Sequence, residues 1–196
     1  FVVADAPLGL ASDSTSTQAW ATNSAVAVAN GEDGLVSGSA YAAVYYPHGM
    51  STNLDGSNIV VPSSCIALRT LAYNDQVAFP WFAPAGFQRG IVSNATSTGY
   101  LDRATGVFKA VSLNEGQRDS LYSNKVNPIA NFPGRGINVF GQKTLSPTAS
   151  ALDRINVARL VVYIRERLDD LVKPFLFEPN DASTRADAKA IVDRFL

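Results

Sequence analysis

The chain has 196 residues, of which 46% are apolar, 10% aromatic and 17% charged, and its 16 Lys and Arg against 17 Asp and Glu leave a formal charge of −1. This composition excludes a disordered, coiled-coil or collagen-like chain. The charge balance offers no whole-chain attraction to nucleic acid or to an anionic membrane, so neither is expected as a partner and recognition must rest on local patches.

In chain order, Phe1 to Ala6 reads as a buried strand closed by Pro7. Gln18 to Asn30 is rich in Ala and Val and predicts a helix stopped by Asn30-Gly31. Ala40 to Tyr46 is an imperfectly alternating strand that ends in a Pro47-His48-Gly49 turn, Ser51 to Ser57 is loop-like, and Asn58 to Val61 is extended. Pro62 can open a helix without losing a hydrogen bond, so a helix is expected from Ser64 to about Asn74. Phe79-Pro80-Trp81-Phe82-Ala83-Pro84-Ala85-Gly86-Phe87 is too rich in Pro and Gly for an element and reads as a rigid loop. Ile91 to Ser93 is extended, the stretch to Gly106 is mixed, Val107 to Val111 is a possible strand, and Asn114 to Ser123 is a short helix. Extended chain at Val126 to Ala130 leads to a turn at Phe132-Pro133-Gly134-Arg135-Gly136 and a strand at Ile137 to Gly141.

From Asp153 to Lys173, Val157, Leu160, Val161, Ile164, Leu168, Leu171 and Val172 recur at helical spacing, which marks an amphipathic helix ended by Pro174. Phe175-Leu176-Phe177 then reads as a short buried strand, and a last helix runs from about Ala182. The alternation of strands and helices predicts an α/β fold, a mixed sheet flanked by helices. Phe1 opens inside a strand-like run, the sole methionine is Met50, and Leu196 falls within a helical pattern, so the chain reads as an internal piece of a longer one.

Catalytic chemistry has few footholds. A serine hydrolase needs a base, and the one imidazole is His48, in a turn that suits a hydrogen-bonded or exposed loop histidine. Ser63 and Ser64 are the nearest nucleophiles, but neither lies in a G-x-S-x-G elbow. Gly134-Arg135-Gly136 lacks the third glycine or the lysine of a phosphate-binding loop. Cys65 alone cannot close an internal disulfide and, with His48, leaves a zinc site short of ligands, so no metal or other cofactor is expected and a reducing setting is the simplest reading. Asp169-Asp170, Glu178 and Asp181 fall at helix ends and turns, where carboxylates cap and solvate. No apolar run reaches the ~18 residues of a membrane span, and no signal-peptide pattern opens the chain.

Two features suit contacts. Arg154, Arg159, Arg165 and Arg167 on the long helix form either a solvated face or a surface for an acidic partner. Trp81 and Phe82, held between prolines, suit either a core plug or a contact surface.

Six landmarks in one order carry a resemblance. They are Val61-Pro62-Ser63 opening a helix with Ile66-Ala67, the Phe79 to Gly86 tryptophan loop, Asn127-Pro128-Ile129, Phe132-Pro133-Gly134-Arg135-Gly136 with the following strand and Lys143-Thr144-Leu145-Ser146, the Ile155 to Leu160 helix, and Phe177-Glu178-Pro179-Asn180-Asp181. From about Ala40 to Leu196 the chain resembles the contractile tail sheath proteins of bacteriophages and related injection particles. The most specific group is Pro133, Gly134, Arg135 and Gly136.

The resemblance implies a core of subtilisin-like topology without proteolytic activity. Residues 1–150 would be the sheath core and 151–196 the start of a C-terminal region. It implies a structural subunit that stacks as hexameric rings around a tail tube and contracts to drive the tube through the host envelope. The implied partners are further copies of itself, the tube protein, and baseplate and tail terminator proteins, in a virion assembled in the bacterial cytoplasm. Arg154, Arg159, Arg165, Arg167, Trp81 and Phe82 would be candidates for subunit or tube contacts. The alternatives are a subtilisin-like hydrolase and the sheath of a non-viral injection or bacteriocin particle.

Overall fold

The computed structural model describes residues 1–23, 34–35 and 38–196. In chain order the elements are β1 (Val2–Asp5), α1 (Ser14–Ala21), β2 (Ala42–Tyr46), β3 (His48–Thr52), β4 (Asn58–Val61), α2 (Ser63–Val77), α3 (Gly86–Arg89), β5 (Ser97–Leu101), β6 (Phe108–Ala110), α4 (Glu115–Ser123), β7 (Val126–Phe132), β8 (Gly136–Val139), α5 (Ile155–Val172) and α6 (Ala182–Phe195), with 3-10 turns at Ala151–Asp153 and Lys173–Phe175. The helix expected over 18–30 begins earlier, at Ser14, because Asp13 accepts a hydrogen bond from the Ser16 N–H at 2.7 Å and caps it. Its expected continuation over 24–30 lies outside the described residues.

The first sheet has the order β1-β2-β7-β8, with β1, β2 and β7 parallel and β8 antiparallel to β7. Strand β2 explains its own imperfect alternation. Ala43 and Tyr45 pack with Ile66, Ala67 and Leu71 of α2 and Ile155 of α5, while Val44 and Tyr46 pack with Trp20 of α1 and Leu121 of α4 on the opposite face. A strand covered on both faces has no polar side to display, so it reads as a continuous apolar run. The mixed sheet flanked by helices is therefore the α/β architecture that the pattern predicts.

The second sheet, β4-β3-β5-β6, is antiparallel throughout. Two expectations change here. His48 is not in a turn: Pro47 joins β2 directly to β3, and His48 opens that strand opposite Gly99, only 3% exposed. The mixed stretch before Gly106 contains β5, one of the two inner strands of this sheet, where a Cβ on Gly99 would overlap the Lys109 carbonyl oxygen of β6. Glycine there permits a close approach that polarity alone does not advertise.

Helix α4 carries a full capping box, Asn114 Oδ1 accepting from the Gln117 N–H at 2.9 Å and Gln117 Oε1 from the Asn114 N–H at 3.0 Å. Helix α5 starts in the core through Ile155 and Ala158 and then runs out of it, while α6 buries no residue fully. The expected buried strand at Phe175-Leu176-Phe177 is absent. Pro174 instead lies in the 3-10 turn Lys173–Phe175, no strand of either sheet pairs with the segment, and Leu176 and Phe177 are 73% and 94% exposed.

Candidate functional site

Three residue types of a hydrolytic triad meet where β1, β2, β3 and α2 join. Strand β1 brings Asp5, β3 brings His48, and the first turn of α2 brings Ser63 and Ser64. His48 Nε2 lies 2.9 Å from the Ala6 carbonyl oxygen, and its Nδ1 accepts from the Ser63 backbone N–H at 3.2 Å. That pattern assigns the proton to Nε2 and occupies both ring nitrogens with backbone partners. Ser63 Oγ is turned away from the ring, 2.8 Å from Asp5 Oδ1 and 2.9 Å from the Tyr45 carbonyl oxygen. A serine nucleophile needs its hydroxyl on the imidazole, and this one has it on a carboxylate and a carbonyl.

Asp5 does a different task. Pro62, at the N-cap of α2, has no side-chain acceptor, and Asp5 replaces it from another strand by accepting from the Ser64 N–H at 2.6 Å and the Ser64 hydroxyl at 2.7 Å. Burial works to raise the Asp5 pKa, but the bonds from Ser64 and Ser63 outweigh it and hold the carboxyl below the ordinary range. The cluster is a clamp between strands and helix. Sequence reading named His48, Ser63 and Ser64 but missed Asp5, which stands 58 positions from Ser63 with no local signal.

The Phe132 to Gly136 motif is the β7–β8 hairpin. Gly134 and Gly136 take φ of 73° and 70°, and Asn138 Nδ2 donates to the Arg135 and Gly136 carbonyls at 3.1 Å each. Arg135 projects its guanidinium over the Phe87 ring at 4.5 Å. Within the tryptophan loop, Phe79 and Trp81 stack at 4.7 Å, and Trp81 reaches Tyr163 of α5 at 5.6 Å. Trp81 thus ties loop to helix, whereas Phe82 is 40% exposed beneath Arg89.

The four helix arginines do not share one face. Arg154 pairs with Asp153 at 3.1 Å and donates to the Tyr122 hydroxyl, and Arg159, 13% exposed, reaches both Asp75 carboxylate oxygens through Nη2 at 2.7 and 2.5 Å. Arg165 and Arg167 are exposed, the latter over the Tyr163 ring at 5.4 Å. Among the described residues no cluster of three or more His, Cys, Asp or Glu could hold a metal ion, and no helix is long and apolar enough to cross a membrane.

Over 125 residues, 64% of this chain and 17% of that protein, the sequence is 40% identical to the tail sheath protein of Vibrio phage KVP40. Over 136 residues, 69% of this chain and 19% of that protein, it is 31% identical to the tail sheath protein of Enterobacteria phage T4. The contracted sheath complex of an extracellular contractile injection system, PVC, matches the fold with a TM-score of 0.69 at 22% identity, over 100% of this chain and 47% of that one. No protein-family model matches the chain. The chain spans less than a fifth of the length of the curated relatives it matches, 17% and 19%. With two phage sheath proteins aligned across most of its length and the sheath fold matched throughout, the chain belongs to the tail sheath proteins.

Proposed function

We propose that the chain is the core segment of a structural subunit of a contractile tail sheath. In this reading residues 1–150 form the sheath core and 151–196 begin a C-terminal region. The full-length protein stacks as hexameric rings around a tail tube, meets baseplate and terminator proteins at its ends, and contracts to drive the tube through the host envelope. It is assembled in the host cytoplasm, becomes part of the virion and catalyses no reaction. The observation that carries this reading is the 40% identity over 125 residues to a phage tail sheath protein. The geometry fits the task, since a sheet packed on both faces makes a body that keeps its shape while its contacts change. A helical array needs a heterologous contact that does not close.

A phage sheath is favoured over an injection-particle sheath by the level of identity, 40% to a phage tail sheath protein against 22–29% to the injection-particle structures. The hydrolase reading finds no support at His48, whose two nitrogens are both engaged by the backbone. Electron microscopy of the full-length protein is the test. Tubes or polysheaths are expected, and their absence under all assembly conditions overturns the proposal. Peptide or ester hydrolysis that disappears in His48→Ala would overturn its non-enzymatic part.

A further inference from the structure

The β7–β8 hairpin builds a surface as well as a turn. Phe132 meets Phe87 and Phe140 at 4.9 Å each, and Phe87 meets Phe140 at 5.4 Å, so three rings close a triangle. Phe87 and Phe140 are exposed. Arg135 lies over Phe87, and Arg118 lies 5.0 Å over Phe132. Neither guanidinium has a carboxylate within ion-pair distance among the described residues, although Glu115 and Asp119 border the same cleft as Arg118. Arginine laid on half-exposed aromatic rings is the composition of an interface anchor. Its occupant must bring an apolar side chain for the rings and a carboxylate for Arg135.

This chain carries such a segment at the apex between α5 and α6. Among the described residues Phe177 stands almost entirely in solvent and Leu176 largely so, and Glu178 beside them is exposed and in no ion pair. We propose that the Leu176-Phe177-Glu178 apex of one copy docks on the Phe87/Phe132/Phe140 triangle of a second copy, with Phe177 on the rings and Glu178 on Arg135. The two surfaces differ, so the contact is heterologous and leaves the pair with one free apex and one free triangle for the next copies. A patch this small binds weakly alone and gains from repetition in an array. The inference rests on the proposed polymerisation and names two of its surfaces.

Charge exchange in the full-length protein tests it, read as the concentration at which tubes form in the electron microscope. Arg135→Glu and Glu178→Arg should each raise that concentration about tenfold or more, and the double variant should recover most of the loss. Phe177→Ala, at a residue exposed among the described residues, should act like the single charge variants. Single variants that assemble at the unmodified concentration, or a double variant no better than either single one, overturn the contact and leave the sheath reading standing. An unmodified protein that forms no tubes overturns both.

Discussion

Two short apolar runs of this chain meet opposite fates. Ala42–Tyr46 is buried at four of five positions between two helical layers, whereas Phe175-Leu176-Phe177 ends in a turn with its last two side chains in water. Both are apolar, β-prone and bounded by proline on one side. The difference is partners: β2 has β1 and β7 at hydrogen-bonding distance and helices on both faces, and the later run has no strand beside it. Apolar character sets what burial would be worth, and the neighbours decide whether burial occurs.

The contrast can be broken by substitution, and the largest effect belongs to β2. Tyr46→Ala removes a fully buried ring and its hydroxyl bond to the Leu10 carbonyl at 2.9 Å, and should cost about 3–5 kcal/mol in denaturant unfolding. His48→Ala leaves the Ser63 N–H and the Ala6 carbonyl without their partner and should cost about 2 kcal/mol by the same measurement. Gly136→Ala forces a Cβ into a φ of 70° and should cost about 1–2 kcal/mol, with β7 and β8 otherwise unchanged in amide chemical shifts.

Asp5→Asn sharpens the role of the clamp through pH. The Asp5 carboxyl titrates below its ordinary 3.8 in the fold, so its contribution is complete above that value and is lost as pH falls through the lower folded one. The variant should lose about 1 kcal/mol at neutral pH, a figure reduced by the solvent-facing side of the group, and its stability should fall less steeply than the parent's below pH ~4. At the other end of the comparison, Phe177→Ala should leave the stability of this chain within about 0.5 kcal/mol, since its ring is 94% exposed among the described residues. A loss there as large as that of Tyr46→Ala would mean that the apex is part of the core.

Much of this architecture was legible because its signals are local. Asn114 to Ser123 reads as α4, the 3.6-residue period announces α5, and Pro-Gly-Arg-Gly announces the turn between β7 and β8. Strand β5 was not legible, because Ser97-Thr98-Gly99-Tyr100-Leu101 is polar in composition and becomes a strand only through β3 and β6 on its two sides. His48 was misplaced for a similar reason: Pro-His-Gly has turn chemistry, but a second sheet stands ready to pair with it. Of the candidate contacts, the arginine row looked continuous in sequence. In the fold Asp75, from another helix, claims Arg159, and Tyr122 and Asp153 claim Arg154.

By itself the sequence determined the α/β class, the main helices, the hairpin and, through six ordered landmarks, the sheath family. The class, the helices and the hairpin depend on backbone propensities and spacings that act over a few residues at a time, and the family on a resemblance of motifs. Only the tertiary structure decided that Asp5 caps a helix 58 positions away, that His48 is a clamp, and which apolar side chains face water. Those outcomes turn on which distant groups arrive at hydrogen-bonding or packing distance, a property of the assembled layers that no local stretch of chain contains.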